Sequence, residues 1–279
     1  MKLILAKSAG FCFGVKRATN MAFAAAETHD CICSLGPIIH SPQLVGKLEE
    51  MGVKVVDNVG EIGAGAVIIR SHGVTADELD RIGALPLEIV DATCPFVKKA
   101  QEHASMLSQE GYTVILVGEE EHPEVQGIIS YARSGEVYVV PDQQKAEVLP
   151  ERKKMGVVAQ TTQSFENLRQ VVDVCLNKSK ELRVFNTICD ATSVRQNEAR
   201  SIAGQVDLML VIGGFNSANT NRLSQLCSEI QPRTYHVETA EQIDPEWFRG
   251  IEVVGITAGA STPRWIIDEV VELVADLNK

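Results

Sequence analysis

Three cysteines in this sequence stand in matching surroundings: ILAKSAGFCFGVKRA around Cys12, LEIVDATCPFVKKAQ around Cys94 and VFNTICDATSVRQNEA around Cys189. Each follows a short apolar run and opens a stretch with helical spacing. A thiol at a helix N-terminus is favoured as thiolate, the form that binds metal. A step of 28 residues leads from Cys12 to His40 in GPIIHSP, from Cys94 to His122 in EEEHPEV and from Cys189 to Ser217 in GGFNSAN. A third polar site follows another strand in each unit: Ser71–Gly73, Gln160–Thr162 and Ala258–Thr262. The chain thus reads as three repeats, each offering one thiol and two polar loops.

Three thiolates can hold zinc with a fourth position open, or three irons of a [4Fe–4S] cluster with one iron left open. The C-x-x-C spacing common in zinc sites is absent, as is the compact cysteine run of ferredoxins. An open iron acts as a Lewis acid, and a cluster also delivers electrons. Soft thiolates near His40, His72 and His122 keep zinc in view. However, Ser71, Thr161, Thr162, Ser217, Asn219 and Ser261 share those loops. Hydroxyls, amides and helix N-termini together suit phosphate oxygens better.

Glu124 is the only carboxylate within the polar-loop sets proper. It could protonate a leaving hydroxyl beside an open iron, or simply favour the N-terminus of its helix. Of the other cysteines, Cys31 and Cys33 alternate along a strand, and Cys175 and Cys227 fall inside helices. All four read as packing residues. His29, His103 and His236 lie off the repeat and read as surface residues. Gly63-Ala-Gly65 precedes a strand, so it is no dinucleotide loop, and no phosphate-binding G-x-x-x-x-G-K-[ST] run occurs. His122-Pro-Glu124 lacks the P-C-x-x-C partner of a zinc deaminase.

These residues need strands to carry them. Strands are expected at 2–6, 31–35, 66–70, 87–91, 113–117, 155–159, 183–186, 208–212 and 253–257. Helices should begin near Gly14, Pro42, Thr75, Pro95, Pro123, Gln163, Ser193, Ala218 and Pro263. Strand–helix alternation points to α/β architecture with parallel sheets. All nine sites then fall at carboxyl ends of strands, where open parallel sheets bind ligands. The expectation is three similar α/β domains in pseudo-threefold arrangement about a shared centre. Their boundaries would be 14–94, 95–188 and 189–279, with the N-terminal strand, 1–13, joining the third.

The 26 basic and 37 acidic residues give a net charge of −11, which argues against a nucleic-acid partner. It does not exclude an anionic substrate, because a pocket can be locally positive. No apolar run reaches the ~18 residues of a membrane span. MKLILAKSAGFCFGVKRA lacks the long apolar middle of a signal peptide. The seven scattered cysteines fit a reducing compartment, so a cytoplasmic protein without membrane attachment is expected.

Taken together, GFCFGVKRA, LGPIIHSPQ, IIRSHGV, DATCPFV, HPEVQG, AQTTQ, NTICDAT with VRQ, NSANTNRL and TAGAS resemble the 4-hydroxy-3-methylbut-2-enyl diphosphate reductase (LytB) family, in order and over essentially the whole chain. The resemblance implies an oxidoreductase of the non-mevalonate (MEP) isoprenoid pathway, with three α/β domains around a central iron–sulfur cluster. Cys12, Cys94 and Cys189 would hold one [4Fe–4S] cluster with an open apical iron. Glu124 would supply a proton and Thr161 would orient the substrate hydroxyl. His40, His72, Ser217, Asn219 and Ser261 would bind the diphosphate, with His122 beside it. Electrons would come from a ferredoxin or flavodoxin. In the family's GKNSSN loop this sequence departs twice, with Phe215 for the lysine and Ala218 for the second serine. Tuned affinity is expected from this, with activity retained.

Two other readings use the same residues. A cluster enzyme of the quinolinate-synthase type also takes three distant cysteines, but its dicarboxylates call for arginine forks, and Arg70 is the one arginine near the loops. A cluster-based redox sensor would need an effector surface, basic if the target is DNA, against which the net charge counts.

Overall fold

A computed structural model of the chain describes residues 1–277. Its strands are β1 (Lys2–Leu5), β2 (Ile32–Leu35), β3 (Val53–Val56), β4 (Ala66–Ile69), β5 (Glu88–Asp91), β6 (Thr113–Val117), β7 (Val137–Val140), β8 (Arg152–Ala159), β9 (Ser179–Val184), β10 (Leu208–Ile212), β11 (Thr234–Val237) and β12 (Val253–Ala258). They form three four-stranded sheets with the orders β3-β2-β4-β5, β7-β6-β8-β9 and β11-β10-β12-β1. Every pairing is parallel. Each sheet with its helices is an α/β domain, and the three share one strand order. The third domain takes its last strand from the N-terminus.

The central strands are predominantly apolar. AVII in β4, TVILV in β6 and LMLVI in β10 are buried at every residue, as befits parallel strands covered on both faces by helices. Register sets the strand ends level. Leu35 pairs with Ile69, and Ile69 with Asp91, at the carboxyl edge of the first sheet. Ile212 likewise pairs with Ala258 in the third.

The helices are α1 (Phe13–Thr28), α2 (Pro42–Glu50), α3 (Ala76–Gly83), α4 (Pro95–Gln109), α5 (Pro123–Ser130), α6 (Gln143–Glu147), α7 (Phe165–Lys178), α8 (Asp190–Ala203), α9 (Ala218–Ser228) and α10 (Arg264–Asp276). Their starts are written in the sequence. Thr75 and Glu78 form a capping box on α3. Ser164 and Ser217 cap α7 and α9 through their side chains. Proline begins α4 and α5, where its missing N–H is harmless.

The expected strands are all present, with β9 beginning earlier than anticipated. Three further strands, β3, β7 and β11, were not foreseen, and each is the same edge strand of its sheet. Edge strands pair on one side only and are less covered, so VKVV of β3 and TYHV of β11 are interrupted by polar residues, whereas VYVV of β7 is apolar but only four residues long. The short helix α6 was also not foreseen.

By internal contacts the chain divides into two compact units. One comprises residues 1–16, 39–46 and 190–279, and the other residues 17–38 and 47–189. The first holds the sheet β11-β10-β12-β1, and the second holds the other two sheets.

Candidate functional site

All nine polar sites follow the carboxyl ends of parallel strands, and one contact repeats in each domain. The backbone N–H of the cysteine donates to a carbonyl of the neighbouring third loop: Cys12 to Ala260 (3.3 Å), Cys94 to Ser71 (2.9 Å) and Cys189 to Thr161 (3.0 Å). Each cysteine immediately precedes a helix, and all three are half-exposed free thiols. The Cys12 sulfur accepts from the Val15 N–H at 3.5 Å.

In the larger unit the predicted residues form a connected series. From Cys189 it passes to Thr161, whose N–H (2.7 Å) and hydroxyl (2.9 Å) both donate to the Glu124 carboxyl. The Glu124 N–H donates to Nδ1 of His122 at 3.1 Å, and the His122 and His72 rings meet edge-on with centroids 5.7 Å apart. His72 adjoins Ser71, which receives the Cys94 N–H. Glu124 is only 2% exposed, His122 and Thr161 are also buried, and no ion pair to Glu124 is formed among the described residues. Burial pushes the Glu124 carboxyl above its ordinary range, and the two Thr161 bonds pull it back by less.

In the smaller unit, Ala260 ties Cys12 to the loop carrying Ser261, whose hydroxyl lies 3.5 Å from that of Ser217. Ser217 caps α9 and sets Asn219 in its first turn. Asn219 is buried, yet neither its side-chain oxygen nor its nitrogen has a hydrogen-bond partner. A paired donor and acceptor left unsatisfied inside a protein is unfavourable and marks a place prepared for a polar ligand. His40 and Ser261 line one small cavity with Gly213, Gly214 and Glu238. The predicted site residues therefore gather as two sets: Cys12, His40, Ser217, Asn219 and Ser261 in one unit, and Cys94, Cys189, His72, His122, Glu124 and Thr161 in the other. Among the described residues, no three His, Cys, Asp or Glu side chains stand within reach of a single metal ion.

The LytB protein family matches residues 3–275. The chain belongs to that family. It is 72% identical to 4-hydroxy-3-methylbut-2-enyl diphosphate reductase of Syntrophotalea carbinolica, over all of both chains. It is 63% identical to the enzyme of that name from Geobacter sulfurreducens, over 100% of this chain and 98% of the relative. A solved structure of (E)-4-hydroxy-3-methyl-but-2-enyl diphosphate reductase, described as the terminal enzyme of the non-mevalonate pathway, shares 44% identity over 99% of this chain and 100% of that one, with a TM-score of 0.72. The E-1-hydroxy-2-methyl-but-2-enyl-4-diphosphate reductase structure from Plasmodium falciparum shares 26% identity over 100% of this chain and 88% of that one, with a TM-score of 0.91.

Within this LytB-family chain the structure also assigns places to residues that the repeat left aside. Cys175 and Cys227 are fully buried core residues, and burial pushes their thiols up to about 11 and about 12. Cys33 is buried as expected, but Cys31 precedes its strand and is exposed, so the packing role fails for it. Arg70 is turned inward. Its Nε donates to the Gly73 carbonyl at 3.3 Å, and its guanidinium lies across Gly36, where a Cβ would come within 2.3 Å of Nη1. Gly36 has φ +72°. An arginine so placed is not a carboxylate fork, which removes the support for a dicarboxylate substrate.

Sequence reasoning missed a clamp on the approach to Cys12. Arg195, buried in α8, donates to the carbonyls of Ser8 (2.6 Å) and Gly10 (2.7 Å), and Glu198 accepts from the N–H groups of Lys7 and Ser8. Burial opposes ionisation of Glu198, but the Ser8 and Lys7 bonds together outweigh it and hold its carboxyl low. The VRQ run in α8 was the available signal. His236, expected on the surface, is half-buried. Its Nε2 donates to the Gly213 carbonyl at 2.7 Å.

Proposed function

We propose that this chain reduces (E)-4-hydroxy-3-methylbut-2-enyl diphosphate, with two electrons and two protons, to isopentenyl and dimethylallyl diphosphates plus water, the last step of the non-mevalonate isoprenoid route. The observation that carries the reading is the buried Glu124 carboxyl, fastened by Thr161 on the same loop that receives the Cys189 backbone. Family membership supports it over the full chain.

Three half-exposed thiols at helix starts, each with its backbone anchored in the same way, are a donor set that fits an iron–sulfur centre. Cys12, Cys94 and Cys189 would hold one [4Fe–4S] cluster. When bound, it supplies the electrons and an open apical iron that polarises the substrate hydroxyl.

The remaining work falls to side chains. Hydroxide is a poor leaving group, so a proton must reach it as the C–O bond weakens. Glu124 is suited to give that proton, because burial keeps it protonated to higher pH than an exposed glutamate. The Thr161 hydroxyl orients the substrate's alcohol. The diphosphate is taken up by His40, His72, Ser217, Asn219 and Ser261, with His122 beside it. Asn219 offers the clearest case, since its buried amide waits for a partner, and the N-terminus of α9 adds its dipole. A second proton delivered to either end of the allylic fragment gives the two products. A ferredoxin or flavodoxin would deliver electrons in the cytoplasm. Among the described residues no helix is long and apolar enough to cross a membrane.

The test is anaerobic turnover of the allylic alcohol diphosphate with a low-potential reductant. Both isopentenyl and dimethylallyl diphosphates should form, and Glu124→Gln should abolish most turnover while leaving iron content unchanged. Full turnover by that variant would remove Glu124 from the reaction, and absence of both products from the iron-loaded protein would refute the reading.

A further inference from the structure

The loop 213–217, between β10 and α9, leads into the Ser217 cap and Asn219. It also carries Phe215, half-exposed, where the family more often has lysine. No cation stands at position 215, so something else must give the loop its shape. Two residues of β11 and its end do so. His236 and Glu238 are two apart along an extended strand, and side chains with that spacing point to one face. The His236 Nε2–H donates to the Gly213 carbonyl at 2.7 Å, at the start of the loop. The Phe215 N–H donates to Oε1 of Glu238 at 2.7 Å, at the crest of the loop. The Phe215 ring closes the arrangement, tilted against the His236 ring at a centroid distance of 4.6 Å. Asn221 Nδ2 donates to the Phe215 carbonyl at 2.9 Å from the α9 side. The Glu238 backbone is itself fixed, its N–H donating to Gln242 Oε1 at 2.7 Å.

This clamp lies against the anion loops. Glu238 lines the same small cavity as His40, Gly213, Gly214 and Ser261. A Cβ on Gly214 would lie 3.2 Å from the His40 carbonyl oxygen and 3.4 Å from Glu238 Oε1, so the loop backbone passes close to both. The crest of the loop is thus held by an acceptor oxygen that is also a negative charge. The first property shapes the loop to receive an anion, and the second opposes an anion that arrives.

We propose that Glu238, seconded by His236, is a positioning residue for diphosphate: its acceptor oxygen holds the 213–217 loop in its receiving shape, while its charge limits how tightly diphosphate is held. This inference rests on the assignment of Ser217, Asn219, Ser261 and His40 to the diphosphate.

The test is calorimetric binding of inorganic diphosphate to anaerobically purified, iron-loaded protein, with KM and kcat measured alongside. Glu238→Ala removes the acceptor and the charge together, so it should bind diphosphate roughly tenfold more weakly than Glu238→Gln, which lacks only the charge. The loss should fall on KM and not on kcat. Glu238→Gln keeps an acceptor oxygen and drops the charge, so it should bind diphosphate at least as tightly as the wild type. His236→Phe, which keeps ring packing against Phe215 but cannot donate to Gly213, should weaken binding relative to the wild type and guards against a misfolded alanine variant. Glu238→Gln binding diphosphate more weakly than the wild type would overturn the proposal. So would Glu238→Gln binding as weakly as Glu238→Ala. If the wild type itself binds no diphosphate, the underlying assignment of the anion loops is what fails.

Discussion

Replacing Thr161 by valine separates the acid from the group that tunes it. The Glu124 carboxyl is fully enclosed and receives two hydrogen bonds, both from Thr161: the backbone N–H at 2.7 Å and the hydroxyl at 2.9 Å. Both stabilise the ionised form. Valine keeps the shape and the N–H but deletes the hydroxyl. A hydrogen bond to a charged group contributes about 1.5–3 kcal/mol, so the variant should ionise Glu124 less readily by roughly tenfold or more. Burial already raises the pKa, and losing the hydroxyl raises it further. In the proposed reaction Glu124 acts in its protonated form, so the rate should fall as pH rises through that pKa, and the falling limb should move to higher pH in Thr161→Val. Thr161→Ser, which keeps a hydroxyl, should leave the limb in place. The assay is kcat against pH with a low-potential reductant under anaerobic conditions. The plateau should also drop if Thr161 orients the substrate as proposed, but the position of the limb is independent of its height. A limb that stays put or moves to lower pH in Thr161→Val would refute the reasoning.

Glu124 also links stability to pH. Its folded pKa is raised, so its stabilising contribution is complete below the ordinary glutamate range and is lost as pH rises through the folded value. Relative to Glu124→Gln, the wild type should lose urea resistance between acidic and mildly alkaline pH; a constant difference would contradict this. Iodoacetamide at mildly alkaline pH should label exposed Cys31 in the native protein and spare Cys175 and Cys227 until urea is added, because burial holds those thiols protonated. Native labelling of Cys227 would show that its helix opens readily.

Much of this molecule could be read from local patterns. The cysteine-led repeat, the helix-opening prolines at 95 and 123, and the apolar runs of β4, β6 and β10 each carry their meaning within a few residues. What escaped the sequence depends on tertiary partners. β3, β7 and β11 are edge strands whose pairing comes from one neighbour only, so TYHV of β11 showed no apolar run. With β11 unseen, the same-face relation of His236 and Glu238 was invisible, and His236 read as a surface residue. β9 was placed too late because half of its SKELRV sequence is charged. Arg195 and Glu198 sit one turn apart in a polar helix, where nothing local singles them out. Only the returning N-terminal segment, with the Ser8 and Gly10 carbonyls, shows what they hold. Among the site residues, types and spacing were legible, whereas the linkage from Cys189 through Thr161 and Glu124 to His122 required coordinates.

In the proposed function Cys12, Cys94 and Cys189 act as one ligand set. Iron and sulfide analysis with Mössbauer spectroscopy, on anaerobically reconstituted wild type and on single Cys→Ser variants at all three positions, tests it most directly. The wild type should hold about four irons per chain with one iron site distinct from the other three. Each of the three variants should lose the intact cluster, and Cys175→Ala should keep it. Retention of a full cluster by any one of the three serine variants, or four equivalent irons in the wild type, would contradict the account.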